Sequence, residues 1–146
     1  VTTLPSAIAT GKVLQVQNQH FTTFVTTTST SFADTGITKV ITPSATSSKI
    51  LITVALKLAT STDSNERIMT QIVRGASVIA LNERTLLSNA SATQAMVGYQ
   101  FLDSPSTTSA TTYKIQWRCI NGITVKLNDY EGTDSFSSFT LTEIGE

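Results

Sequence analysis

The stretch Lys49–Thr60, KILITVALKLAT, is the longest apolar run in the chain and constrains its fold more than any other feature. Read at a period of two, Ile50, Ile52, Val54, Leu56 and Leu58 share one face, while Leu51, Thr53, Ala55, Lys57 and Ala59 share the other. Such alternation, rich in β-branched residues, is what a half-buried strand needs. A helix over the same residues would be apolar around its whole circumference and would lack a capping box or a terminal glycine. The second face is mildly apolar rather than charged. The strand is therefore expected in a buried sheet of a sandwich, with partial cover outside.

The same rhythm recurs in shorter pieces. Strands are expected around Val13 to Val16, over His20–Thr28, Ile37–Thr42 and Arg67–Arg74, and from Val78 to Leu81. They are expected again over Gln94–Asp103 and Thr112–Ile120, from Ile123 to Leu127, and over Phe136–Ile144. Between them, Thr35-Gly36 predicts a turn and Arg74-Gly75-Ala76-Ser77 a tight hairpin. Asn121-Gly122 predicts a second hairpin, because both central residues of that turn need positive φ. Asn82–Thr93 reads as polar and irregular, with room for a helical turn. Serine and threonine make up roughly 30% of the chain, which suits strands and polar turns. At 146 residues the chain is one domain by length. The expectation is an all-β, jelly-roll-like antiparallel β-sandwich of about 8–10 strands.

Charge and cysteine content narrow the function. Ten basic residues balance ten acidic ones, so the basic field that nucleic acid or an anionic membrane requires is missing. No stretch approaches the ~20 apolar residues of a membrane span, and no membrane insertion is expected. Cys119, the single cysteine, sits in an apolar strand pattern and reads as a buried, inert thiol. A cysteine nucleophile would want a histidine partner, and the chain has only His20. There is neither an initiator methionine nor a basic–apolar leader, so the chain is expected to be a piece of a longer protein. Residues 1–10 read as a linker or the tail of an upstream element, and residues 11–146 as the folded domain.

Several blocks carry a resemblance: GKVLQVQ, SFADTG followed by ITPSATSSKILITV, LDSPSTTSATTYKIQ, and the closing FTLTEIGE. Together they resemble the C-terminal domain of tail fibres and related virion structural proteins of tailed bacteriophages. The likeness runs in pieces from Gly11 to the end and covers framework strands. It does not reach the loops Asp63–Glu66, Asn82–Thr93 and Asn128–Ser135. The resemblance implies a jelly-roll-like knob at a fibre tip on the virion, usually a homotrimer, with residues 1–10 as linker or the end of the shaft. It implies non-covalent attachment to a host surface polysaccharide or outer-membrane protein, with receptor choice in the loops and no enzymatic activity. A trimer would also cover Leu51, Met69, Val73 and Met96, which have no obvious core partner. Two other readings stay open: a structural trimerisation or capping module, and a capsule depolymerase.

The candidate receptor-binding residues are Asn128, Asp129, Tyr130, Glu131 and Asp134, within NDYEGTD. Tyr130 and Phe136 flank a loop of amide and acidic groups, a common way to hold a sugar: the ring packs on the apolar sugar face while Asn and Asp take hydroxyls. The same carboxylates could hold Ca²⁺, but the EF-hand spacing is absent and a solvated loop explains them equally well. A glycosidase acid/base pair would need a groove and one raised pKa, and the sequence shows neither. His20 reads as structural and Trp117 as core. Asn89-Ala90-Ser91 is a formal glycosylation sequon. No phosphate loop, GxSxG or HExxH is present, and no cofactor or metal is expected.

Overall fold

A computed structural model of the chain describes residues 11–61, 66–87, 93–129 and 135–145. The described residues hold ten strands and no helix. They are β1 (Lys12–Phe21), β2 (Val25–Thr27), β3 (Ala33–Ile41), β4 (Lys49–Thr60) and β5 (Arg67–Arg74). There follow β6 (Ser77–Leu87), β7 (Gln94–Asp103), β8 (Thr111–Cys119), β9 (Val125–Leu127) and β10 (Ser137–Gly145). Two antiparallel sheets pack face to face. One runs β1-β10-β4-β7, with the short β9 and β2 continuing past the end of β10 on the same side of β4. The other runs β3-β8-β5-β6. The eight long strands thus make a jelly roll, in which the chain crosses repeatedly between two four-stranded sheets.

The expected inward face of β4 is buried throughout: Ile50, Ile52, Val54, Leu56 and Leu58 are each at most 1% exposed. Trp117, Tyr113, Ile115 and Cys119 of β8 close the core from the facing sheet, joined by Ile68, Ile72, Phe139 and Leu141. The Cys119 thiol donates to Ser29 O at 3.2 Å, and burial pushes its pKa up, so it is held as the unreactive thiol.

Four local readings change. His20 and Phe21 belong to the end of β1, and the chain bends at Thr22–Phe24 before the short β2. Thr35-Gly36 is a bulge inside β3 rather than a turn. Gly36 takes φ +89°, and the Thr35 hydroxyl donates to Ile115 O at 2.8 Å, so the strand is kinked but continues. The polar stretch after Leu81 stays extended as far as Leu87. Asn121-Gly122 does not join two paired strands. β8 lies in one sheet and β9 in the other, and only Gly122 takes positive φ, at +73°.

The reason for that last departure is Glu66. Its carboxylate is fully buried and accepts the N–H groups of Ile120 (2.7 Å), Asn121 (3.1 Å) and Ile123 (3.3 Å), along with that of Arg67 (2.8 Å). Donors that a hairpin would leave for its own ladder are instead gathered on one carboxylate, and the chain turns the corner between sheets. The Gly75 hairpin, in contrast, forms as expected: Arg74 pairs Ser77 and Gly75 takes φ +58° with Ala76 beside it, the φ pattern of a type II′ turn.

The mildly apolar outer faces divide. Met69 and Val73 are buried within the single chain. Their cross-strand neighbours are Arg118 and Lys114, whose aliphatic stems can cover apolar side chains. Beside them a polar ladder runs across three strands: Gln71 to Gln116 at 2.6 Å, Gln116 to Asp34 at 2.7 Å, and Lys114 to Asp34 at 2.9 Å. Leu51 and Met96 lie on the outer face of the other sheet, where Met96 stays exposed. There Val16, Thr142, Leu51 and Leu102 form one row across four strands.

Buried polar groups pin the sheets at other points. Asp103 on β7 accepts two bonds of 2.8 Å from Arg74 on β5 and one of 2.6 Å from the Tyr113 hydroxyl on β8, linking the sheets. Glu143 on β10 is fully buried and accepts from Gln15 (2.6 Å) and from the N–H (2.6 Å) and hydroxyl (3.2 Å) of Ser44. Burial alone would raise its carboxyl, but these bonds outweigh it and hold the pKa below the ordinary 4.5. Since the folded carboxyl is the more acidic, the unfolded chain takes up its proton first as pH falls. The stabilisation is full above about pH 4.5 and is lost as pH drops through the folded value. Thermal melts in acid should show this loss, and Glu143→Gln should flatten that limb of the stability–pH curve. Separately, Glu66→Ala strands several buried N–H groups and should lower unfolding free energy by about 3 kcal/mol in denaturant titration.

Candidate functional site

One end of the jelly roll gathers the loops that the sequence singles out. Thr22–Phe24 follows β1, Asn128 and Asp129 follow β9, and Ser135–Phe136 leads into β10. Asn128 fastens the three together. It takes φ +56°, a conformation that asparagine tolerates better than most residues, and is only 4% exposed. Its side-chain amide donates to Phe21 O (2.9 Å) and Thr23 O (3.1 Å), and its carbonyl accepts from the Ser137 hydroxyl (2.7 Å). Its backbone N–H donates to Lys57 O at 2.8 Å, and the Ser137 hydroxyl also accepts from the Lys57 N–H at 3.0 Å. All of these bonds run to neighbouring strands and loops of the same chain, so Asn128 positions the end of the sandwich.

What this end presents to solvent is aromatic and polar. Phe136 is 42% exposed, outside the core, and stacks on the exposed His20 ring at 4.8 Å between centroids and 28° between planes. Phe24, in the loop held by Asn128, is 54% exposed. Asp129 accepts from Lys126 Nζ at 2.9 Å across a partly exposed ion pair. Tyr130, Glu131 and Asp134 lie outside the described residues. Among the described residues no three His, Cys, Asp or Glu side chains come together as a metal site.

Phe136 was singled out from sequence as flanking the polar loop, but its stack on His20 and the exposed Phe24 were not. His20 and Phe136 are far apart in the chain and meet because β1 pairs β10, with His20 opposite Ser138. A groove of about 290 Å³ is also new: it lies between β6 and β7 and is lined by Leu81, Glu83, Tyr99 and Phe101 among others. Its walls belong to different sheets, so only the fold brings them together. The Tyr99 hydroxyl beside it shares a 3.0 Å hydrogen bond with Thr70, and burial pushes the Tyr99 pKa up, which keeps that hydroxyl protonated.

Comparison of the chain with protein-family models gives no match, and comparison with curated proteins gives none.

Asn128 is the residue on which the local geometry depends. Asn128→Ala forfeits its side-chain bonds and forces alanine into the left-handed region, and should cost about 3 kcal/mol in urea unfolding. Asn128→Gly keeps the backbone conformation accessible and should recover part of that loss.

Proposed function

We propose that this domain is the attachment tip of a tailed-bacteriophage fibre, holding a bacterial surface glycan or outer-membrane protein without covalent chemistry. The observation that carries the reading is the pair of exposed aromatic groups, Phe24 and the His20–Phe136 stack, held at one end of a jelly roll beside the Lys126–Asp129 pair. Flat rings bind the apolar faces of sugars, while carboxylate, ammonium and hydroxyl groups take the sugar hydroxyls. Thr22, Thr23 and Thr26 are exposed around this end and add hydroxyl donors and acceptors. The fold is of a kind used by viral capsid and lectin domains, which agrees with the resemblance but does not by itself assign the activity. Zero net charge removes long-range steering by charge, leaving short-range contacts and the presentation of several copies to build affinity.

Adsorption competition tests this reading. The chain, added to a panel of bacteria and surface glycans, should bind one of them and block adsorption of phage bearing it. Phe136→Ala should weaken binding about fivefold, the loss of ~1 kcal/mol from an aromatic contact, with no change in melting temperature. Equal binding by wild type and variant would remove this end from the contact surface. No binding by the wild type would favour a structural cap.

A further inference from the structure

One flank of the sandwich lies between β6, an edge of one sheet, and β7, an edge of the other. The groove of about 290 Å³ runs there. Tyr99 and Phe101 point to the same side of β7, and both are half-buried against the core. Ala80 on β6 is half-buried too, and its methyl leaves open a space that a larger side chain would fill. The rim is polar. Asn82 and the exposed Glu83 stand on β6, and the exposed Gln100 on β7.

Hydroxyl groups fix the width of this groove. The Tyr99 hydroxyl shares a 3.0 Å hydrogen bond with Thr70 on β5, and Thr70 shares one of 2.7 Å with Thr85 on β6. The chain of three hydroxyls crosses from one sheet to the other. It spends the Tyr99 hydroxyl internally and holds the ring in place, so little ordering is lost when a ligand arrives. The groove is separate from the aromatic end. Register sets His20 level with Ser138, Ala55 and Gly98 across the larger sheet. β1 and β7 stand on opposite sides of that sheet, three strand spacings or about 14 Å apart.

We propose that this groove is a second binding site, which takes an uncharged sugar unit of a longer glycan. Two rings at alternate positions of one strand offer the apolar surface on which a sugar face rests. Asn82, Glu83 and Gln100 supply acceptors and donors together, and sugar hydroxyls need both because each donates and accepts. Among the described residues that line the groove none is basic. Phosphate, sulfate and acidic sugars therefore find no counter-charge and meet the Glu83 carboxylate instead. The groove opens to solvent, so a unit seated in it stays joined to its neighbours outside, whereas a small free ligand would need most of its surface enclosed. Nothing in this binding depends on contact at the aromatic end.

An amide NMR titration of the isotope-labelled 146-residue chain tests the groove. The probes are the methyl glycosides of glucose, galactose, mannose and N-acetylglucosamine and their disaccharides. Glucuronic acid, sialic acid and an uncharged oligothreonine peptide are run beside them. At least one neutral sugar should shift the amides of residues 80–83 and 99–101 in a saturable way, whether or not residues 22–24 and 135–137 respond. Glu83→Ala changes an exposed side chain and should weaken this binding about fivefold, with unchanged melting temperature. Ala80→Leu fills the groove and should abolish the shifts. Absence of saturable shifts at these amides with every neutral sugar would overturn the proposal, even where residues 22–24 and 135–137 respond and the aromatic end is thereby supported. A stronger response there to an acidic sugar or to the peptide would overturn it as well, as would full binding by a folded Ala80→Leu. Should Ala80→Leu melt early, Glu83→Ala decides, and unchanged binding by that variant counts against the groove.

Discussion

Burial of Ile50, Ile52, Val54, Leu56 and Leu58 along β4 is coupled to pairing on both of its edges, by β10 and β9 on one side and β7 on the other. Each of these side chains contributes about 1.5–3 kcal/mol when removed from water, an upper figure because unfolded chains already hide some surface. Together that is on the order of 10 kcal/mol, as large as the net stability of a typical domain. Slipping β4 by one residue would turn all five outward and set Leu51, Thr53 and Lys57 inside. The register of the larger sheet is fixed by that penalty, and the partners of β10 and β7 inherit it.

Apolar burial sets the layers, but it does not say where the chain changes layer. Buried polar groups do that. Glu66 collects the donors of the corner between β8 and β9, Asp103 joins β5, β7 and β8, and Asn128 ties the ends of β1 and β10 to β4. Each buried partner left alone would cost more than its bond contributes, which makes such contacts specific about geometry. The aromatic end inherits its shape from this arrangement, since the loop bearing Phe24 is held by an amide below the surface.

The strands were legible because side-chain alternation is a local signal. Lys49–Thr60, Arg67–Arg74 and Gln94–Asp103 appear where their patterns place them. Trp117 and Cys119 are core for the same reason. Turn chemistry was legible only where the turn is local. Gly75 makes its hairpin from its own neighbours, whereas Gly122 serves a corner dictated by Glu66, distant in sequence. Gly36 misled because positive φ suits a bulge as well as a turn. Met69 and Val73 seemed to need an outside partner because an alternating pattern cannot reveal long basic side chains one strand away. At the candidate site, the polar loop was visible, but Asn128 proved to be its anchor, and the stack of Phe136 on His20 depends on a pairing between opposite ends of the chain.

The pairing of β1 with β10 has a mechanical side. Lys12 and Gly145 lie at one end of that ladder, and His20 with Ser138 at the other, beside the aromatic groups. A strand of ten residues spans about 30 Å. A pull transmitted from the aromatic end to the Lys12 end runs along the strand axis, so the rungs of the ladder share the load in shear rather than opening one after another like a zipper. That orientation makes the ladder more resistant to a pull along its strands than to one across them.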